Sequence, residues 1–222
     1  MPSPLRVLPF FLLLAMTSPI HYFWRAMITN MDAWVRTNML PPVSSYPKIA
    51  DGTLVTLSAW AFPAIPGVNR PHEATQGGRF DFGSNWQRGI LSVQPPKLGE
   101  PFPVLVPQVD GDGNERDGLR LPEITVPLAT YTGWNLRDPS IGAPDQRLPL
   151  EGSYLQFPKT ADERNKTGDP RKAIAERYSD RADYISRYKK AVDDLVQQRW
   201  VLPEDREELI QRGDREWLEA TK

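Results

Sequence analysis

The sequence predicts an irregular α+β protein, a proline-rich body with short strands plus amphipathic helices. Three observations carry this reading. Of 23 prolines, 21 precede Thr160. Each fixes φ and removes a backbone donor, so long helices and central strands are disfavoured there. Of the 55 charged side chains, 29 lie in the last 63 residues, 14 basic and 15 acidic. Finally, long helical apolar stripes occur only after Pro19 and beyond Thr160. The 222 residues divide into an apolar N-terminal leader or mis-set start (1–19), a body with one leading helix (20–159) and a charged helical tail (160–222).

Composition excludes several functions. A formal net charge of -1 gives no field favouring nucleic acid or an acidic membrane surface. Cys is absent, which rules out disulfides, thiolate metal sites and a Cys nucleophile. The only imidazoles are His21 and His72, too few for a His-rich metal centre. Hydrophobic residues make up 40%, enough for a real core.

The apolar run Val7–Met16 follows a single basic residue, Arg6. Its ten residues span about 15 Å as a helix, roughly half a bilayer core. It partly meets the pattern of an export leader, with Pro9 inside it and no clean small-x-small cleavage site. Beyond that run there is no strong membrane signal. Residues 20–37 form the first helix, ended by Pro41-Pro42. Its stripe of Phe23, Met27, Met31 and Trp34 is expected to face the core. His21, at its start, reads as a capping or surface residue.

The body alternates apolar pieces with turns. Asp51-Gly52 precedes a strand over Thr53–Leu57. Trp60, Phe62 and Ile65 interleave with Pro63 and Pro66, as in an irregular segment laid over a core. GGRFDFGSNWQRG, from Gly77 to Gly89, offers Phe80, Phe82 and Trp86 as anchors. Neither Ser84 nor Ser153 meets the G-x-S-x-G elbow, and no other Ser in the chain does. Phe102–Pro107 and Ile124–Leu128 read as strands. Between them Asp110–Asn114 (DGDGN) imitates the start of a calcium loop. Glu115 stands at the position that needs Gly, and Leu121 at the one that needs a bidentate carboxylate, so the segment reads as a tight turn. Trp134 is expected to be buried with its indole N–H paired to a carbonyl.

In the tail, a short helix from Ala161 stops at Gly168-Asp169-Pro170, and Pro170 suits the first turn of a piece reaching Tyr178. Ser179 or Asp180 caps the next helix, whose stripe is Tyr184, Tyr188, Ala191 and Leu195, widened by Ile185 and Val192. Leu202-Pro203-Glu204-Asp205 starts a final helix with Leu209, Ile210 and Trp217 on its apolar face. Acids match the bases at close spacing, as on a solvated face.

Five stretches in order resemble a bacterial group of α/β-hydrolase domain-containing proteins. They are AMITNMDAWVRTNMLPPVSSYPKIADGTLV (26–55), WAFPAIPGVNRPH (60–72), PVLVPQVDGDGN (103–114), LRLPEITVPLATYTGWNLR (119–137), and GDPRKAIAERY (168–178) with LPED (202–205). The match is to the C-terminal part of that α/β-hydrolase-like fold. The resemblance implies a parent with a mostly parallel sheet and a Ser–acid–His triad acting on an ester or amide-like bond. The nucleophile and base would lie upstream of residue 20, so no catalytic residue is carried over to this chain. No cofactor or metal ligand is assigned either. The expectation is an esterase-type segment inactive by itself. One alternative is a non-catalytic exported or partner-binding module, with a partner chain covering exposed apolar faces. Another is a hydrolase with a non-standard site around His72, Asp81 and Ser84.

Overall fold

A computed structural model describes residues 14–15, 20–148 and 151–222. The run Val7–Met16 therefore lies outside the described residues except for Leu14 and Ala15, which form β1 (Leu14–Ala15). In chain order there follow α1 (Ile20–Thr37), β2 (Leu54–Thr56), β3 (Phe80–Asp81), β4 (Lys97–Leu98) and β5 (Leu105–Pro107). Next come α2 (Pro122–Thr125), β6 (Ala129–Thr132) and β7 (Ser153–Gln156). The tail holds α3 (Ala161–Thr167), α4 (Ile174–Arg177), α5 (Arg181–Gln197) and α6 (Arg206–Thr221). Among the described residues the strands form one three-stranded sheet, β1-β7-β6, and two pairs, β2-β5 and β3-β4. Every pairing is antiparallel. Prolines explain the short strands: Pro107 ends β5, and Pro127 separates α2 from β6.

Two cores result. The larger collects Tyr184, Tyr188 and Val192 of α5, Leu209 of α6, Tyr22 and Phe23 of α1, and Leu128 and Phe157 beside the sheet. Body and tail thus share it. α5 and α6 run antiparallel: Arg181 at the start of α5 meets Asp214 late in α6, and Arg206 at the start of α6 meets Asp193 late in α5. They approach closely at Gly213, where an added Cβ would sit 2.6 Å from the Tyr188 ring. The smaller core gathers Trp60, Phe62, Ile65, Val109 and Leu155.

Several expectations match the local structure. α1 spans the predicted residues. Asp180 caps α5 by accepting from the Asp183 amide, and the predicted α5 stripe is buried. Thr160 caps α3, which ends at Gly168 with φ +73. Three expectations are corrected. Ile124–Leu128 is not a strand; it starts inside α2, because Pro122 at the first helical turn favours a helix. The strand follows it as β6. Phe102–Pro107 is extended only from Leu105. Met27, Met31 and Trp34 are exposed, while Tyr22, Phe23, Ala26 and Asn30 face inward. The smaller Ala26 and Asn30 let α1 approach the tail, where Asn30 Nδ2 donates to the Arg199 carbonyl at 2.8 Å.

Arg171 joins sheet and tail. Its side chain is 3% exposed and its guanidinium donates to both carboxylate oxygens of Asp169, at 2.9 and 2.6 Å. It also donates to Thr130 Oγ1 at 2.9 Å in β6, and to the carbonyls of Leu155 (2.8 Å) and Gln156 (3.2 Å) in β7. The ring of Phe157 lies 5.1 Å from its charge centre. Burial works against the Asp169 carboxylate, but the Arg171 bonds outweigh it and hold its pKa below the usual carboxylate range. Removing one partner strands a buried charge. Arg171→Met is therefore expected to cost about 3–5 kcal/mol, read from the urea midpoint. Gly213→Ala, despite the better helix propensity of Ala, is expected to destabilise by about 1–3 kcal/mol in the same assay, since the Tyr188 ring must move.

Candidate functional site

A cleft of 190 Å³ opens over the smaller core. The turn after β2 supplies Trp60 and Phe62, the strand β5 supplies Val106 and Pro107, and the segment around β6 supplies Tyr131, Thr132 and Trp134. Trp60 and Phe62 stack at 4.9 Å, and Trp134 meets Phe62 edge-on at 5.4 Å. Glu73, Glu115 and Arg147 add the polar part of the lining. Neighbouring walls desolvate the Glu115 carboxyl and raise its pKa, although the residue stays open to solvent at the mouth. Arg147 donates to Thr75 Oγ1.

The DGDGN segment builds one side of this cleft. Asp110 Oδ1 accepts from the amides of Asp112 and Asn114, both at 3.0 Å, and Gly113 adopts φ +82 to close the turn. A Cβ at Gly113 would press on Thr130 and Phe62, so the turn also needs the missing side chain for close approach. Asn114 is fully buried: its Nδ2 donates to the Ala129 carbonyl at 3.0 Å, and its Oδ1 accepts from the Tyr131 amide at 2.8 Å. The Asp112 carboxylate is paired with Arg177, and Asp110 lies 3.5 Å from Arg120. The loop's carboxylates are thus committed to backbone amides and guanidinium groups. Among the described residues, no group of three or more His, Cys, Asp or Glu is placed to hold a metal ion.

Behind the cleft lies a second polar group. Glu123 of α2 is 3% exposed, and burial pushes its carboxyl pKa up to about 7, helped by nearby Glu216 against Arg212. Burial also raises the Glu216 carboxyl, which Arg212 holds at 2.9 Å. Desolvation lifts the phenols of Tyr131, Tyr184 and Tyr188 well above their usual range. Among the described residues, Glu123 Oε2 and the Tyr184 and Tyr188 hydroxyls meet no hydrogen-bond partner.

The lining of the cleft includes no Ser, Cys or His. Thr132 Oγ1 is committed to the Trp134 carbonyl and to the Ser153 amide, and burial disfavours ionisation of the Tyr131 phenol. His72, Asp81 and Ser84 are all exposed. Asp81 Oδ1 accepts from the Gly83 amide at 2.8 Å, and no hydrogen bond joins His72 to Ser84. Trp134 is half-buried, not buried; neighbouring Asn135 takes the buried position, and Trp134 packs edge-on against Trp60 and Phe62. Sequence reasoning missed Arg171, Asn114 and Glu123. The first lies in the GDPR stretch and the second ends the DGDGN turn, but neither stretch signals burial.

The fold and the cleft define a mixed α+β protein with short antiparallel sheets and an aromatic-lined cleft. A family model described as an alpha/beta hydrolase domain matches residues 14–211, and the chain belongs to that family. A comparison with curated proteins finds no match, and neither does a comparison with solved structures. No described helix is long and apolar enough to cross a membrane.

The Glu123 shift gives stability a pH dependence of definite sign. A carboxyl whose pKa rises on folding binds more protons folded than unfolded. Stability then falls as pH rises through about 4.5 toward about 7, and is flat above. Glu123→Gln is expected to remove on the order of 3 kcal/mol of that decline, measured as urea midpoints at several pH values. Glu216 acts in the same direction and leaves a smaller residual slope.

Proposed function

We propose that this chain is the C-terminal, non-catalytic segment of an esterase-type serine hydrolase, and that it turns over no substrate by itself. The observation that carries this is the absence of any Ser in a G-x-S-x-G elbow from a chain that belongs to an α/β-hydrolase family. Acyl transfer needs a hydroxyl aimed by a strained strand–helix turn, an imidazole to take its proton and amides to hold the oxyanion. His72 and Ser84 lie exposed on separate turns with no bond between them, which supports the same reading. The cleft contributes an apolar, aromatic wall with two carboxylates, suited to positioning a substrate's apolar part.

A second reading, a non-catalytic partner-binding module, is favoured by one feature: the exposed apolar side of α1, including Trp24, Ile28 and Val35. Both readings assign no triad to this chain.

The purified chain is expected to hydrolyse a generic aryl ester no faster than buffer, with His72→Ala and Ser84→Ala indistinguishable from it. Turnover abolished by a single Ser substitution would overturn the reading. Sequencing the DNA upstream of Met1 is expected to reveal an open frame encoding G-x-S-x-G and a downstream His.

A further inference from the structure

α1 has two apolar sides. The inner one carries Tyr22, Phe23 and Ala26 into the larger core. On the flank beside it Ile20, Trp24, Met27, Met31 and Trp34 recur at spacings of four and three residues and are all exposed, with Met27 one turn beyond the buried Phe23. That alternation is the seam along which one helix meets another. Ile28 (68% exposed) and Val35 (77% exposed) widen it. Met and Trp suit such a face, since thioether sulfur and indole rings make adaptable contacts. A stripe of this size on a single helix marks an interaction surface.

We infer that the occupant of this face is a second copy of the same chain, docked α1 against α1 in a closed two-fold pair. Area is the first argument. The bared fractions of the seven residues add to about four whole side chains, on the order of 800 Å² at ~200 Å² each. A stable two-fold interface buries about 800 Å² on each partner. Charge is the second. Two-fold pairing brings a patch against itself, so unpaired like charges would oppose it. The two bases of α1 are neutralised within the protomer, Arg25 by Asp205 and Arg36 by Asp32 at 2.7 Å. This also weighs against a bilayer surface, where an amphipathic helix offers several free Lys or Arg around its apolar side. The pairing is a property of this chain by itself; in the longer protein proposed above, upstream residues would compete for the same face.

Sedimentation of the intact chain across a concentration series tests the inference. The expected result is a reversible monomer–dimer equilibrium, with Trp emission shifting to the blue as the dimer fills. Met27→Glu with Met31→Glu is expected to weaken it about 100-fold or more. Far-ultraviolet circular dichroism is expected to stay unchanged, and so is the urea midpoint at concentrations low enough for both proteins to be monomeric. Ala26→Glu, on the inner side, is expected to unfold the chain and separates the two sides. A chain that remains monomeric up to about 100 μM overturns the inference, since an interface of this size holds in the micromolar range or below. So do a monomer whose α1 face is protected from hydrogen exchange by its own N-terminal residues, and open-ended aggregates that survive the double Glu substitution.

Discussion

The buried pair between Arg171 and Asp169 is the interaction on which the architecture depends. β6 and β7 are short, and a small antiparallel sheet is only marginally stable without packing. One guanidinium, held by a carboxylate two residues away, binds a side chain of β6 and two carbonyls of β7. Its planar fork offers five donors, and the bonds named here use every nitrogen. A Lys could supply the charge but not that geometry. The pair therefore sets where the helical tail meets the sheet.

A second tie runs from the same region. Arg177 of α4 pairs with Asp112 and stands 4.1 Å over the Phe157 ring, so the turn that shapes the cleft is anchored to the tail. Asn114, at the end of that turn, replaces a strand neighbour by giving β6 one donor and one acceptor. The aromatic cleft is thus built from an irregular segment made rigid by side-chain-to-backbone bonds, which is how a proline-rich chain satisfies its buried amides without long ladders.

Membership in an α/β-hydrolase family sits beside short sheets whose described pairings are all antiparallel. Fold membership and chemistry are separate questions. The described cleft sets Glu73, Glu115 and Arg147 against an apolar, aromatic wall. Elsewhere the interior accepts a costly arrangement: Glu123, Glu216 and two unpartnered tyrosine hydroxyls behind the cleft. A buried carboxyl relieves that cost by keeping its proton, which is why its pKa climbs toward neutrality.

Much of this was legible in the sequence. The α1 span, the Asp180 cap, the α5 stripe and the stop at Gly168 follow from local chemistry: capping oxygens, helical periodicity and the φ that only Gly adopts without strain. The family resemblance was also readable, because it rests on residue order. Other features were decided by tertiary structure. Periodicity alone cannot tell which of two apolar sides of α1 turns inward; the choice fell to Ala26 and Asn30 because close approach and a hydrogen bond to Arg199 were available there. Burial of Arg171, Asn114 and Glu123 has no signature in a single chain: apart from the Asp169 carboxylate beside Arg171, the polar groups that enclose their side chains lie 15 or more residues away in sequence. Local segments declare their own conformation, whereas which polar group ends up enclosed depends on what distant segments bring to it.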